Sequence, residues 1–330
     1  MKDLYFEEEY GRLYEKMEQG KAVLWRYDGP EGIVLHQFIL REIPIAFDGV
    51  KWYDVVTPYG YGGPVIERVN DGFEKEKLVD AFYQSFQKYC IENNVVCGFT
   101  RFHPIVENAL DFRSVYDVQR IRSTLGTDLT LEDPVAEEFS KGCRKNIRRA
   151  IAKGISWRIT QKPEKLDIFK QIYYSTMDRN NAGEYYYFDD EYFGGIIKKF
   201  HDNTILVEAI FEEKTIAAGL YFVYGDYIHI HLSGTLTDYL YLSPAYILRY
   251  AVTLWGKENG YKLIHHGGGR SNSPEDSLFL FKKQFAQKTE FDFYIGKKIW
   301  NPEAYAKLCA AVGINPDETE FFPAYRLTKT

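Results

Sequence analysis

Cysteine is scarce in this chain, and the few cysteines are scattered. Cys90, Cys97, Cys143 and Cys309 are the four among 330 residues, and no pair has metal-ligand spacing with a second pair to match it. We therefore expect reduced, buried thiols. Their scatter argues against a structural metal site and against catalysis by a thiol.

Long apolar runs are absent as well. Every run is far shorter than the roughly 20 residues that cross a bilayer as a helix. The first nine residues are rich in acidic side chains, unlike a secretory signal. We therefore expect a cytoplasmic protein without an integral membrane segment.

A surplus of positive charge is the third missing feature. Lysine and arginine number 41 against 47 aspartates and glutamates, so the formal net charge is −6. Proteins that bind nucleic acid generally carry a basic face, so we expect no DNA partner, although a local basic patch is compatible with this balance. Tyrosine, by contrast, is abundant at 27 residues. Its flat ring and polar tip suit a cleft that stacks on sugars, bases or peptide.

The clearest order of elements runs from Thr204 to Phe285. Residues rich in β-branched and aromatic side chains predict the strands Thr204–Phe211, Thr215–Tyr224 and Tyr227–Ser233. Ser243 and Pro244 indicate a capped helix start, and Gly260 its end. The buried face of this helix is predicted to consist of Ile247, Tyr250, Ala251 and Leu254. A short returning strand is predicted over Lys262–His266, before three glycines. A second helix is predicted to begin at Ser273–Pro274, with a buried face of Leu278, Phe281 and Phe285.

A basic helix is predicted over Glu137–Lys153. A narrow apolar stripe is surrounded by the cations Lys141, Arg144, Lys145, Arg148, Arg149 and Lys153. One interpretation is a solvated helix face. The other is an anion platform for a nucleotide diphosphate or a nucleic-acid backbone, with Arg144 and Arg148 as phosphate contacts, because arginine pairs bidentately with phosphate.

Two aromatic segments are candidates for substrate stacking. Thr57–Pro64 is rich in glycine and proline, so it is either a multi-turn connector or a backbone surface on which a ligand lies, with Tyr59 and Tyr61 as stacking faces. Farther along, Tyr185, Tyr186, Tyr187 and Phe188 are consecutive. Four aromatic residues in a row cannot all face one core, so we expect at least one or two of them to face solvent or a cleft. Tyr186 is the candidate substrate contact among them.

Several short runs resemble a known family. The basic run Ser140–Ala150 with Lys153–Gly154, the run Thr176–Asn180 with the tyrosines after it, and Leu280–Lys282 resemble the Fem family, the aminoacyltransferases that build peptidoglycan cross-bridges. The antiparallel meander followed by a helix and a parallel strand is similar to the core of the GNAT acyltransferase superfamily, to which that family belongs.

The resemblance implies a fold class and a division of the chain. The fold is expected to be mixed α/β (α+β), with two GNAT-like lobes whose mixed sheets are flanked by helices. Residues 1–134, joined by the tail 297–330, would form the first lobe. Residues 135–296 would form the second lobe and carry the active site.

The resemblance also implies roles for individual residues. Lys282 matches the lysine of the family's Phe-Lys pair at the reaction centre, and Arg179 resembles the arginine that holds the acceptor diphosphate. The alternatives are a surface lysine and an ion pair with Asp178.

Independently of the resemblance, His229 and His231 share the polar face of a predicted strand, and either is a candidate base because imidazole titrates near neutral pH; the alternative is that they are satisfied core groups. We expect His231 to be the catalytic one. Arg270 follows the strand end, where anions are commonly bound.

The acyl donor is the least determined element. GNAT enzymes that use acetyl-CoA usually carry a glycine-rich loop before the helix that follows the meander, whereas Asp238–Ala245 contains no glycine. Donor contacts are expected from Ser243, Ala245 and Tyr246. The missing glycines favour aminoacyl-tRNA, or an altered site for acyl-CoA, as a co-substrate. No tightly bound cofactor is expected.

We therefore expect an N-acyltransferase that moves an acyl or aminoacyl group onto an amine of a cell-wall (peptidoglycan) or nucleotide-sugar precursor. The acceptor would be a small molecule or a cell-wall precursor, with charged tRNA as a further partner. The alternatives are an acyl-CoA-dependent N-acetyltransferase acting on a sugar or polysaccharide precursor, and a degenerate, non-catalytic binding module.

Overall fold

The structure is a computed structural model that describes residues 3–45, 47 and 49–327. The strands are β1 (Gly20–Gly29), β2 (Gly32–Glu42), β3 (Tyr53–Val56), β4 (Gly63–Val69), β5 (Val95–Arg101), β6 (Asp117–Asp128), β7 (Ser156–Gln161), β8 (Thr204–Phe211), β9 (Lys214–Tyr224), β10 (Tyr227–Thr235), β11 (Leu263–Gly267) and β12 (Thr289–Ile299). The α-helices are α1 (Glu8–Arg12), α2 (Glu15–Glu18), α3 (Lys75–Glu92), α4 (Asn108–Asp111), α5 (Pro134–Glu138), α6 (Lys141–Ala152), α7 (Asp167–Arg179), α8 (Asp190–Lys199), α9 (Pro244–Glu258), α10 (Ser277–Lys283) and α11 (Pro302–Ala311).

Mixed sheets flanked by helices confirm the predicted mixed α/β class. The chain forms two compact units. Unit 1 consists of Met1–Ile121 and Asp292–Thr330, and unit 2 of Arg122–Phe291. The lobe boundaries at 134 and 296, and the likeness of each lobe to a GNAT domain, stay predictions.

Unit 1 contains the strand order β1-β2-β3-β5-β12, and β4 pairs with β2 beside β3. The pair β3–β5 is parallel, and the other pairs are antiparallel. Helix α3 supplies buried Phe82 and Phe86 to the core, which also contains Phe38 and Trp300. The loop predicted over Thr57–Pro64 ends early, because Gly63 and Pro64 already pair with β2.

A buried carboxylate ties the C-terminal segment into unit 1. Asp54 of β3 is fully buried and accepts hydrogen bonds from Arg41 Nε at 2.7 Å, Tyr325 Oη at 3.0 Å and Arg326 Nε at 2.5 Å. A buried charge is tolerated only when it is paired and hydrogen-bonded. Asp54 therefore depends on three donors, two of which lie in the last described residues.

Unit 2 contains the strand order β6-β11-β10-β9-β8-β7. The pair β10–β11 is parallel, and the other pairs are antiparallel. The predicted meander of three strands and the returning parallel strand are confirmed. The core of this unit lies between the sheet and helices α6 and α9, with buried Ile147, Tyr221 and Leu248 among its members.

Three helix starts differ from the prediction. The basic helix is two helices, because Ser140 Oγ accepts from Cys143 N at 3.0 Å and caps α6 while Phe139 is extended. Helix α10 begins at Ser277 rather than after Ser273, because Asp276 caps it by accepting from Phe279 N at 2.9 Å. Ser243 precedes α9 as predicted, but its backbone is left-handed (φ 57°) and its side chain makes no capping bond.

The buried face of α9 also differs. Leu254 was predicted on it but is 41% exposed, whereas Leu248, Arg249 and Val252 are buried. The helix is therefore rotated by about one residue relative to the predicted face, which brings a charged side chain into the interior.

None of the helices formed by the described residues is both long and apolar enough to cross a membrane. The cytoplasmic location stays a prediction.

We expect Asp54→Ala to lower the free energy of unfolding by about 3–5 kcal/mol, because it removes a fully buried carboxylate that pairs with both Arg41 and Arg326. Urea unfolding measures the change. The control is Asp28→Ala, which removes an exposed partner of Arg26 and should cost about 1 kcal/mol or less. Equal losses in the two variants would contradict a special role for Asp54.

Candidate active site at the end of the parallel strands

The parallel pair of unit 2 opens toward its carboxyl end. Strands β10 and β11 pair over three positions, from Tyr227↔Leu263 to His229↔His265. Beyond His229, β10 runs on to Thr235, with a register shift against β9 after Ile230. The two strands therefore separate. Ligands of sheets with parallel strands bind at the carboxyl ends of those strands, so we take this end of β10 and β11 as the candidate site.

The loop that follows β11 is folded around Asp276. Its Oδ2 accepts from the backbone N–H of Arg270 at 3.0 Å, and from the N–H of Ser271 at 2.9 Å and its hydroxyl at 3.0 Å. Desolvation raises the pKa of Asp276, but these bonds and the one from Phe279 N outweigh it and lower the pKa to about 2. A Cβ on Gly269 would lie 2.5 Å from Asp276 Oδ1. Glycine is therefore required there.

Lys282 reaches the same end of the strands. Its Nζ donates to the carbonyl oxygen of Gly268 at 2.6 Å. Burial, with the positive charges of Arg249 and Arg122, outweighs Asp276 and lowers the pKa of Lys282 to about 7. The amine therefore changes charge near neutral pH, so it can serve either as a cation or as a proton acceptor.

Two residues near Lys282, Arg249 and His266, were not predicted as site residues. Arg249 of α9 is 3% exposed and lies over the rings of Phe281 and Phe285, with its Cζ 5.0 and 5.4 Å from their centroids. His266 of β11 is 1% exposed, and burial, Arg249 and Lys282 lower its pKa. The signal for Arg249 was its helical spacing with Val252 and Gly256, which are buried on the same helix.

His266 is held in one tautomer. Thr127 Oγ1 donates to the carbonyl oxygen of Phe285 at 2.7 Å and lies 2.8 Å from His266 Nε2. Since the threonine proton is used, Nε2 carries the imidazole proton and Nδ1 carries the lone pair. Nδ1 is buried and has no hydrogen-bond partner within the described part of the chain.

His231, the predicted base, lies in an aromatic setting. Its Nε2 is 2.5 Å from Tyr192 Oη, and its ring centroid is 4.7 Å from that of Phe222. Burial, with a smaller contribution from His229, lowers the pKa of His231 to about 3. It is therefore neutral at physiological pH, and its catalytic role stays a prediction.

Arg179 lies at the carboxyl end of β10. Its Nη1 donates to Thr235 O at 2.7 Å and to Thr237 Oγ1 at 3.1 Å. Asp178 instead accepts from Tyr187 Oη at 2.8 Å. Tyr186 is 43% exposed, as predicted for a residue facing solvent or a cleft. The binding roles of Arg179 and Tyr186 stay predictions.

The predicted anion platform is an exposed face of α6. The Arg144 side chain is bound to the backbone of its own unit, because its Nη1 donates to the carbonyl oxygen of Ala136 at 2.8 Å and to that of Phe139. Exposed cations on or just after α6 are Lys141, Lys145, Arg148, Arg149 and Lys153. Within residues 3–45, 47 and 49–327, no ion pair involves any of these five side chains.

The segment predicted to contact the donor is tightly wound. Thr237–Leu242 forms a 3₁₀ helix. The N–H of Ser243 donates to Leu240 O at 3.0 Å, and the N–H of Tyr246 donates to Ser243 O at 3.1 Å. These amides are consumed locally and are not free to bind a pyrophosphate.

Tyr59 and Tyr61 lie in unit 1. The ring of Tyr59 stacks on that of Tyr14, with the two ring centroids 5.9 Å apart. The rings of Tyr61 and Tyr5 pack edge to face, with their centroids 5.3 Å apart. Both rings are partly exposed. Their role in substrate stacking stays a prediction.

Comparison with known proteins agrees with this architecture. Residues 111–211, which include α5 to α8, match the FemAB family. This segment is similar to that family. The Fem resemblance predicted from the sequence is thereby confirmed.

Individual relatives and solved structures match different shares of this chain. The UDP-N-acetylmuramoylpentapeptide-lysine N(6)-alanyltransferase of Weissella viridescens is 27% identical over 168 residues, which are 50% of this chain and 48% of the relative. The crystal structure of FemX matches with a TM-score of 0.67 at 12% identity over 92% of this chain and 94% of that one. The C-terminal domain (DUF2156) of a putative lysylphosphatidylglycerol synthetase from Agrobacterium fabrum matches with a TM-score of 0.57 at 14% identity, covering 93% and 92%. These structural likenesses show the fold.

We expect Lys282→Met to raise the melting temperature more at pH 6 than at pH 9. The folded-state pKa, about 7, lies below the unfolded value of 10.5, so the charged amine opposes folding below pH 7 and this opposition fades as the pH rises toward 10.5. Circular dichroism measures the thermal unfolding of wild type and variant at pH 6 and at pH 9. Lys283→Met, which removes a partner of Glu290, is the control. An equal gain at both pH values would contradict the lowered pKa.

Proposed function

We propose that this protein is an N-acyltransferase that moves an aminoacyl group from charged tRNA to an amine of a peptidoglycan precursor. The observation that carries the proposal is the placement of the Lys282 amine, on the carbonyl of Gly268, where β10 and β11 separate. The match to the alanyltransferase of Weissella viridescens supports the choice of reaction and acceptor.

The reaction needs a held carbonyl, stabilisation of its developing charge and removal of the amine proton. The acceptor nitrogen attacks the ester carbon of the donor and forms a C–N bond. The ester C–O bond then breaks, and the proton lost by the amine is balanced by one gained by the departing hydroxyl. Protonated Lys282 would stabilise the tetrahedral oxyanion. No covalent enzyme intermediate is required.

The structure favours a tRNA donor over acyl-CoA. The amides of Ser243 and Tyr246, two of the three residues expected to contact the donor, donate within the chain. The α6 face presents five cations without ion-pair partners among the described residues, on a chain whose net charge is −6. Positive charge concentrated on one face is the electrostatic pattern that a nucleic-acid backbone requires.

Arg179 is the residue proposed to bind the acceptor. In the proposed complex its guanidinium holds the diphosphate of a nucleotide-linked precursor. Arg179 is partly exposed and is fixed to the end of β10 through Thr235 and Thr237, which supports a binding position beside the opening strands.

We expect Lys282→Ala to slow aminoacyl transfer by about 10²-fold or more, because it removes the charge that stabilises the oxyanion. Single-turnover transfer from alanyl-tRNA to UDP-N-acetylmuramoyl pentapeptide measures the rate, with acetyl-CoA as the competing donor in parallel reactions. Lys283→Ala is the neighbouring control and should retain the rate. Unchanged turnover in Lys282→Ala would remove this lysine from the mechanism, and transfer from acetyl-CoA alone would replace the tRNA donor.

We expect the double variant Lys145→Glu with Arg149→Glu to weaken tRNA binding by about 10-fold or more. Loss of phosphate contacts should also flatten the salt dependence of binding, by about one in the log-log slope for each contacted cation. Fluorescence anisotropy with uncharged tRNA from 50 to 200 mM salt measures both effects. The control, Lys77→Glu with Lys88→Glu, makes the same charge change on exposed lysines of α3. Equal losses in both variants would show that net charge, not the α6 face, governs binding.

A further inference from the structure

Arg249 is a buried cation that has no counterion among the described residues. Within the part of the chain that the structure describes, no carboxylate and no hydrogen-bond acceptor meets its guanidinium. Arginine remains charged in proteins, and a buried charge without a partner is strongly disfavoured. The aromatic rings of Phe281 and Phe285 fix the position of the guanidinium but do not neutralise it. A structural role in an ion pair is therefore excluded for the described residues.

Other polar atoms around Arg249 are unsatisfied as well. The hydroxyl of Tyr221 and Nδ1 of His266 are buried and have no partner among the described residues. Arg249 Nε is likewise enclosed and has no partner among the described residues. The guanidinium thus keeps hydrogen-bond donors that none of the described residues uses.

The charges around this point have mostly one sign. The groups that act on Arg249, Lys282 and His266 electrostatically are Arg122 of β6, Cys143 of α6, Tyr221 of β9 and Asp276 before α10. Asp276 is the one carboxylate among them, and its oxygens are bound by the loop and by the start of α10. Arg249 and Arg122 therefore lower the pKa of Lys282, and an anion bound between Arg249 and Lys282 would oppose this effect.

We infer that Arg249, with Lys282, forms an oxyanion-binding subsite inside unit 2 that receives a phosphate or carboxylate group of a substrate. The planar guanidinium is suited to bind such a group through two parallel N–H···O bonds. Lys282 links the subsite to the carboxyl ends of the parallel strands through Gly268. The inference rests on the proposed function only for the molecule that carries the anion, which would be the acyl donor.

Binding can be tested without any transfer reaction. Sulfate is the tetrahedral probe, because it does not titrate between pH 6 and 8, and acetate is the carboxylate probe. The Nε–H of Arg249 is enclosed, so its ¹H–¹⁵N signal should exchange slowly in protein labelled with ¹⁵N-arginine. Arg249→Lys, which lacks the signal, assigns it.

We expect one of the two anions, added at constant ionic strength with chloride, to shift the Arg249 signal to saturation. A saturating shift with sulfate identifies a phosphate subsite, and one with acetate alone identifies a carboxylate subsite. The same anion should raise the pKa of Lys282 above about 7, followed through its ¹³Cε resonance. An Arg249 signal that neither anion moves up to about 100 mM would overturn the inference.

Thermal unfolding supplies a second readout, because a ligand bound to the folded state raises the melting temperature. Sulfate also stabilises proteins by exclusion from their surface, so the comparison between variants decides. Arg249→Gln should lose the anion-specific part of the rise and at least about 10-fold in affinity. Arg158→Gln, an exposed arginine of the same unit that pairs with Glu208, should retain both. Equal responses in wild type and Arg249→Gln would overturn the subsite.

Failure of the subsite and failure of the proposed function are distinguishable. A saturating Arg249 signal in a protein that transfers no aminoacyl group supports the subsite and removes the proposed reaction. Transfer that depends on Lys282, together with an Arg249 signal that ignores both anions, supports the reaction and removes the subsite.

Discussion

The short parallel pairing of β10 with β11 is the constraint on which unit 2 depends. Three residue pairs hold the strands together, and the register shift after Ile230 coincides with the point where β10 leaves its parallel neighbour. Strands that separate leave backbone groups and side chains facing a gap that the sheet itself cannot fill. The Gly267–Gly269 turn, the carboxylate of Asp276 and the start of α10 are all arranged around this end, and they bring the Lys282 amine to it.

Positive charge occurs in unit 2 in two physical settings. On α6, the cations are exposed, so water solvates them and their lack of partners costs little. At Arg249 and Lys282, burial removes that solvation, and the free-energy cost is carried by the rest of the fold. Native proteins retain such costs mainly at functional sites. The two settings therefore point to different recognition: long-range attraction of a polyanion at the surface, and short-range binding of a single anionic group inside.

Sequence patterns predicted elements well wherever one signal dominated. The β-branched runs gave strands at Thr204–Phe211 and along β9 and β10 because alternation and composition agreed there. Prediction failed where two local signals competed. Ser273 and Asp276 are both residue types that cap helices. Asp276 is the one that caps α10, because the same carboxylate also accepts hydrogen bonds from the loop at Arg270 and Ser271. That second set of bonds brings loop and helix together and is invisible in a single window of sequence.

The sequence by itself determined the order of the meander, the resemblance to the Fem family and the importance attached to Lys282, since each depends on neighbouring residues or on a short motif. The tertiary structure alone decided the surroundings of that lysine. Arg249, His266 and Lys282 lie on a helix, a strand and another helix, and their closeness follows from how those elements pack. Burial and the lowered pKa of Lys282 are properties of that packing, because desolvation depends on every group that surrounds the amine.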